Sequence, residues 1–360
     1  KMKNQISIDW KLIIPGLIII LLSFNILNSI SKDIFIFQFV SFLFGSILFY
    51  LYSRFNYLNH KSFVNFYLIG SIIFLMFPFI FGAATRGSIR WIQIGSLTLQ
   101  PSELIKPFLI VVFASFLSKF NNQKNLKTYV SYLGLLILPV LLTLKQPDLG
   151  SAIVLFVIWL GIFLSSNLPA IWLGIFLSGF VVLSPLFFKI LKSYQKQRIT
   201  SFLNPYIDPL GSGYQLIQSI IAIGSGKIFG LGLGHGTQSQ LAFLPERHSD
   251  FIFASLAEET GLIGSLILIA SIFFLLKRIL KIAENAQDKF SHYICIGVFS
   301  MLLFQSFINI AMNFGIMPIT GITLPLVSAG GSSILATMIS LGMVHNISLC
   351  SVSKKSLEIR

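Results

Sequence analysis

The residues best placed to do chemistry in this chain lie in LPERHSDFIFASLAEE, residues 244–259. There Glu246, Arg247, His248 and Asp250 crowd the edge of a long apolar run, in a sequence where only 12 of 360 residues are Asp or Glu. A carboxylate at such an edge is a functional hypothesis by default, and two roles are open to it. Behind Ser249, a natural helix N-cap, Asp250 suits the positive end of a helix dipole. In a dry site the same carboxylate accepts a proton from an attacking hydroxyl. Asp250, Ala254, Ala257 and Gly261 share one helical face and, apart from the acid, are small; such a stripe suits close helix packing or leaves room for a bulky lipid-linked substrate.

A second constellation is QPSELIKP, residues 100–107. Pro101 fits a first helical turn, and Glu103 and Lys106, three apart, can pair on one face. The spacing reads either as a capped helix start or as a cationic site for an anionic ligand, because an unpaired lysine inside a span costs several kcal/mol. Arg86 and Arg90, at helical spacing, and Trp91 add donors suited to phosphate and a ring face suited to a sugar or to the membrane interface. Asp148, in KQPDLGSA beside Lys145, reads as a tight turn or a further polar contact; Gln215, Gln218 and His235 are weaker candidates. The glycine-rich stretch GYQLIQSIIAIGSGKIFGLGLGHG makes no nucleotide site. Ile221 and Ile228 stand where a P-loop needs Gly and Ser or Thr, and Phe229 and His235 stand where a dinucleotide fingerprint needs its third glycine. Its glycines fit an irregular backbone lining a cavity at the membrane.

The elements that position these residues are membrane helices. Apolar residues make up 55% of the chain and charged residues 11%, with mean hydropathy +0.84, whereas a soluble domain carries about 25% charge. The expected fold is all-α: a single polytopic membrane domain over 1–360 with about ten transmembrane helices and one long external loop at about 191–250. The candidate spans are 13–27, 34–51, 63–81, 102–117, 129–144, 151–164, 169–186, 251–276, 293–311 and 324–349. Two further polar segments interrupt them, 83–106 and 314–333, and both face the side of the long loop, so their polar residues can converge on one outward cavity.

A net charge of +14 invites a nucleic-acid partner, but the basic residues follow the loops of one side. That bias predicts cytoplasmic termini and an external site, and no nucleic-acid partner. Cys295 and Cys350 sit in apolar spans and read as small hydrophobes. The first span lacks a small-residue cleavage site and reads as a retained anchor.

Several strings, in order along nearly the whole chain, resemble signatures of the SEDS family of peptidoglycan glycosyltransferases. They are RWIQIGSLTLQPSELIK, QPDLGSA, SFLNPYIDPLGSGYQLIQSIIAIGSG, GTQSQLAFLPERHSDFIFASLAEETGLIG and GITLPLVSAGGSS. The likeness is nearer to the family's rod-shape branch than to its division branch. Ala329 departs from a tyrosine usual before GGSS, and Ser249 from a usual threonine. The resemblance implies a ten-helix enzyme of the bacterial cytoplasmic membrane that polymerises lipid II on the outer face during cell elongation. It puts the catalytic aspartate at Asp250 and substrate-binding roles at Glu103, Lys106 and Trp91. The leaving polyprenyl diphosphate would meet Arg86, Arg90, Lys106 or Arg198, or a divalent cation, Mg or Mn, bound with it. The implied partners are lipid II, the growing glycan-polyprenyl diphosphate, a class B penicillin-binding protein and other elongation-complex membrane proteins. A lipid II flippase and a noncatalytic scaffold remain the alternatives; the charges gather at the external edge rather than at the midplane of a repeated bundle, which favours transfer over transport.

Overall fold

The computed structural model describes residues 8–85, 88–94, 97–119, 126–166, 174, 193–211 and 213–358. Its long elements are α1 (Trp10–Ile30), α2 (Lys32–Arg54), α3 (Val64–Phe81), α5 (Lys106–Lys119), α6 (Leu126–Lys145), α7 (Leu149–Ser165), α11 (Ile252–Glu284), α12 (Lys289–Asn313) and α13 (Gly331–Glu358). Shorter pieces are α4 (Pro101–Leu104), α8 (Ser193–Leu203), α9 (Tyr214–Ser225) and α10 (Thr237–Gln240). Eight spans among the described residues have the length and apolarity to cross a bilayer, and α7 is a shorter apolar helix beside them. The expected span at 169–186 lies outside the described residues, position 174 apart. The last helix begins at Gly331 rather than near 324, because Pro325 and the left-handed Leu326 (φ 64°) keep the preceding backbone irregular.

The bundle is layered by exposure. Helices α2 and α3 present rows of large side chains outward, with Phe44, Phe66 and Ile80 62%, 71% and 70% exposed, as lipid-facing surfaces require. Helices α5, α12 and α13 form the interior. Close approach there depends on small residues: a Cβ at Gly297 of α12 would lie 2.8 Å from Ile110 of α5 and 2.9 Å from Ile162 of α7. One end of the bundle is tied by polar bonds. Arg278 grips Asp9 through Nε and Nη2, at 2.9 and 2.6 Å from Oδ2, and Tyr57 donates to Asp288 at 2.8 Å. A cavity of about 330 Å³ at this same end is lined by Ser165, Glu284, Asp288 and His292, among others. The candidate residues Asp250, Glu103 and Asp148 sit at the opposite end.

Two segments expected as loops carry regular structure. The segment after α3 forms a small antiparallel sheet, β1 (Ala83–Thr85), β2 (Ser88–Ile94) and β3 (Leu97–Leu99), in the order β1-β2-β3. Its alternating, β-branched sequence SIRWIQI favours a strand, so Arg90 lies on a strand and not on a helix face shared with Arg86; Arg86 itself is outside the described residues. The long loop, for its part, is helical over much of its length.

Helix α11 is in fact two helices joined at Gly261, whose backbone (φ 68°, ψ −162°) is open only to glycine. The break would orphan the carbonyls of Glu258 and Glu259 and the N–H groups of Leu262 and Ile263. The loop supplies every partner: Leu231 and Gly232 donate to Glu258 and Glu259 at 3.0 Å each, while Leu262 and Ile263 donate to Lys227 and Ile228 at 2.9 and 3.2 Å. The side chains complete the latch. Glu258 accepts from the N–H groups of Gln238 and Ser239 at 2.8 and 2.9 Å, and Glu259 accepts from Gln240 at 2.9 Å and from Gly234 N–H at 3.2 Å. Gly226 and Gly230 pack against the Ala257 and Glu259 carbonyls so closely that a Cβ on either would lie about 2 Å from an oxygen. This part of the small-residue stripe is thus a packing surface for the loop rather than room for a substrate.

Gly261→Ala places a Cβ 2.3 Å from Gly230 N and 2.5 Å from Ile228 O, in a backbone conformation an L-residue avoids. It should destabilise the protein by about 3 kcal/mol or more. Gly70→Ala, at a helical site with nothing within 4 Å, makes the same chemical change and should leave the thermal unfolding midpoint in detergent unchanged or raised. Equal midpoints for the two variants would rule out the cross-braced break.

Candidate active site

Asp250 does not belong to the helix that follows it. Helix α11 starts at Ile252 after Phe251, which makes no side-chain cap. The expected cap is absent because the Ser249 hydroxyl turns back to Glu246 Oε2 at 2.9 Å. The Asp250 carbonyl is held from α12, where Asn309 Nδ2 and Asn313 Nδ2 each donate to it at 3.1 Å. The half-buried Asp250 side chain extends toward the 314–330 segment. Gly321 marks the spot: a Cβ there would lie 3.8 Å from Asp250 Oδ2 and 3.8 Å from Arg198 Nη1. Arg198, on α8, is fixed by donating to the Ile319 carbonyl at 3.1 Å. A carboxylate and a guanidinium from distant parts of the sequence thus meet beside one glycine (φ 73°).

Glu103 and Lys106 form the expected pair, a direct salt bridge between side chains only 8% and 1% exposed. Their helix is not continuous. Helix α4 ends at Leu104, α5 begins at Lys106, and Ile105 turns between them. This segment is tied to the 314–333 stretch, since Gln100 N–H donates to Ser332 Oγ at 2.8 Å. That stretch is tied in turn to the Asp250 turn by Ser328 Oγ donating to the Ser249 carbonyl at 2.7 Å and by Ala329 N–H donating to the His248 carbonyl at 2.8 Å. All three polar segments picked out in the sequence therefore meet through residues 319–332. The backbone amide of Ala329 takes part in this tie, a contact that needs no aromatic side chain at that position.

Asp148 occupies a different place. It caps α7 by accepting from Ser151 N–H at 3.1 Å, and its other oxygen accepts from Gln100 Nε2 at 2.7 Å and Ser102 Oγ at 2.8 Å. Burial pushes this carboxyl upward, but the Arg90 guanidinium and the Ser102 and Ser151 hydrogen bonds outweigh it and hold it below its ordinary value. Asp148 and Arg90 thus fasten the small sheet and the start of α4 to α7. Arg90 keeps a buried Nε without a hydrogen-bond partner among the described residues, and Trp91, half-buried, follows it on β2 opposite Ala83. No three His, Cys, Asp or Glu side chains gather as a metal-binding set among the described residues.

The sequence reading missed the amides that set Asp250. Gln305, Asn309 and Asn313 recur every fourth residue along the apolar helix α12 and are all buried, at 1%, 0% and 0% exposure. That polar stripe is visible in the sequence; a search confined to ionisable groups passes over it.

The chain matches the FtsW/RodA/SpoVE family of cell cycle proteins over residues 5–352. It is 43% identical over 277 residues to the peptidoglycan glycosyltransferase MrdB of Escherichia coli K12, covering 77% of this chain and 75% of that protein. Among solved structures it resembles a chain of a peptidoglycan synthase complex that coordinates polymerization and crosslinking, with TM-score 0.82, 28% identity and coverage of 96% and 98% of the two chains. It also resembles the rod shape determining protein RodA of Thermus thermophilus, with TM-score 0.73, 26% identity and coverage of 96% and 98%.

The Asp148 contacts make a signed pH prediction. A carboxyl held below its ordinary value of 3.8 stabilises the fold fully above that pH, and the contribution disappears as pH falls through the folded-state value. Asp148→Asn should lower the thermal midpoint in detergent at pH 7, with the gap to wild type closing below pH ~4. A gap that stayed constant across that range would show that the charge of Asp148 contributes nothing.

Proposed function

The chain belongs to the FtsW/RodA/SpoVE (SEDS) family, and from that premise we infer that it is a peptidoglycan glycosyltransferase that extends glycan strands from lipid II during cell elongation. The observation that carries the reading is the meeting of Asp250 and Arg198 beside Gly321, at the end of the bundle away from Asp9 and Arg278. The basic bias of the Asp9 end supports a cytoplasmic assignment for it and for both termini, and an external assignment for the site.

In the proposed reaction the growing strand, α-linked to polyprenyl diphosphate, is the donor. The 4-hydroxyl of the GlcNAc of an incoming lipid II attacks its anomeric carbon. Asp250 takes the hydroxyl proton as general base. The new C–O bond forms as the bond to the diphosphate breaks, the electron pair leaves on the phosphate oxygen, and a single displacement gives a β-1,4 link. Arg198 shares the Gly321 position with the carboxylate, and Arg90, whose buried Nε has no hydrogen-bond partner among the described residues, is a second donor suited to the departing diphosphate. Lys106 supplies positive potential from within the bundle while Glu103 keeps it from standing as a bare charge.

One polymerisation assay tests these roles. Asp250→Asn should yield no polymer from lipid II while its thermal midpoint stays near wild type, because the Asn309 and Asn313 bonds to the backbone carbonyl of residue 250 are kept. In the same assay Lys106→Met should lose more rate than Lys106→Arg, since only the latter keeps the charge. Abundant polymer from Asp250→Asn would falsify the base assignment.

A related chain works in a complex that coordinates polymerization with crosslinking. By that likeness a class B penicillin-binding protein is the expected partner here, alongside other elongation-complex membrane proteins. Contact of its external domain with the 191–250 segment would favour the ordered form of the loop, to the extent that the partner prefers that form. The complex should polymerise lipid II faster than the isolated chain at equal concentration; initial rates unchanged by adding the partner would sink the activation.

A further inference from the structure

Asp250 stands where an ordinary helical hydrogen bond has been prised apart. In a regular helix the Ala254 N–H would donate to the Asp250 carbonyl four residues earlier. Here the Asn313 carboxamide lies between them: its Oδ1 accepts from Ala254 N–H at 3.1 Å and its Nδ2 donates to the Asp250 carbonyl at 3.1 Å. Asn309 holds the same carbonyl from the preceding turn of α12 at 3.1 Å and ties it to the Ile322 carbonyl, to which it donates at 2.8 Å. Both amides are completely buried, and Asn313 is braced from the loop by Ser219 Oγ, which donates to the Asn313 backbone carbonyl at 2.9 Å.

A polar wedge of this kind is costly inside an apolar bundle and is unnecessary for satisfying the backbone. With the wedge gone, Ala254 N–H and the Asp250 carbonyl could bond to each other and extend α11 by one residue. What the wedge does is geometric. It holds the peptide of residue 250 out of helical register, so the Asp250 Cα–Cβ bond leaves toward Gly321 and Arg198 rather than along the helix surface.

We propose that Asn313, assisted by Asn309, is a positioning residue for the reaction: its carboxamide, spliced into the Asp250–Ala254 hydrogen bond, aims the Asp250 carboxylate. The proposal rests on the reading of Asp250 as general base. It predicts a loss of turnover without a loss of fold or of substrate affinity, because the orphaned backbone pair can close on itself and Asn313 makes no contact with substrate.

The test measures initial polymerisation rate against lipid II concentration for wild type, Asn313→Ala, Asn313→Leu and Asp250→Asn, with a thermal midpoint for each. Asn313→Leu keeps the bulk of the side chain but neither accepts from Ala254 N–H nor donates to the Asp250 carbonyl, so it decides the matter if the alanine variant folds poorly. Both Asn313 variants should lose at least tenfold in kcat, with KM within about twofold of wild type and midpoints within a few degrees. The proposal is overturned if Asn313→Leu keeps kcat within twofold of wild type while Asp250→Asn is inactive. It is overturned equally if activity falls only in proportion to the folded fraction, which marks Asn313 as a packing residue. Turnover by Asp250→Asn at the wild-type rate is a separate result: it removes the base assignment itself.

Discussion

Inside a bilayer a backbone N–H or C=O that leaves its helix must find a partner within the protein, at a cost of several kcal/mol if it does not. The site end of this bundle is organised by that constraint. The chain departs from helical geometry at the turn before Ile252 and at Gly261. The two departures in and before α11 are repaired by a specific set of groups from elsewhere in the sequence. At Gly261 the repair is backbone to backbone, four hydrogen bonds exchanged with residues 227–232. At Asp250 it is side chain to backbone, with Asn309, Asn313 and Ser328 as donors.

These repairs divide the scarce carboxylates by function. Asp9, Asp148, Asp288, Glu258 and Glu259 direct their oxygens to an arginine, a hydroxyl, a side-chain amide or a backbone N–H, and their role is to fasten elements. Glu258 and Glu259 are the clearest case, since they lie almost fully buried and fix the long loop against the first half of the broken helix. Two bonds from α12 land on the Asp250 main chain, and its side chain shares the Gly321 position with Arg198. Bonds to the backbone of an acid set the direction in which its side chain leaves the chain.

Much of this was legible in the sequence, and the misses have physical causes. Hydropathy located the helices that stand in the structure, and the rarity of acids pointed to Asp250 and to the Glu103–Lys106 pair, because burying charge is expensive enough to leave a compositional trace. The β-hairpin around Trp91 was hidden because Arg86 and Arg90 are four apart, a spacing a helix and a strand both permit. The start of the last helix was set too early because Pro325 and Ser328 sit in a stretch as apolar as a span, while the left-handed Leu326 is a tertiary effect. Ser249 looked like a cap on local grounds, yet the cap position belongs to Phe251, since Asn313, more than sixty residues away in sequence, keeps the turn open. Local propensity cannot report a wedge that arrives from another helix.

The long loop and the Asp250 turn are mechanically one unit. Residues 226–240 bond to both sides of the Gly261 break, and the half of α11 they brace begins two residues after Asp250. Helix α9 packs its Ala222 with Phe251 and Ala254 in a small apolar cluster under the same turn, and Arg198 reaches Gly321 from α8 at the loop's far end. Displacing the loop would therefore orphan buried carbonyls, expose that cluster and withdraw the guanidinium together. Such a system has few intermediate arrangements, because partial displacement costs hydrogen bonds before it relieves any strain. Anything that prefers one arrangement of the loop acts on the carboxylate through these shared bonds, and its leverage equals the difference in its affinity for the two arrangements.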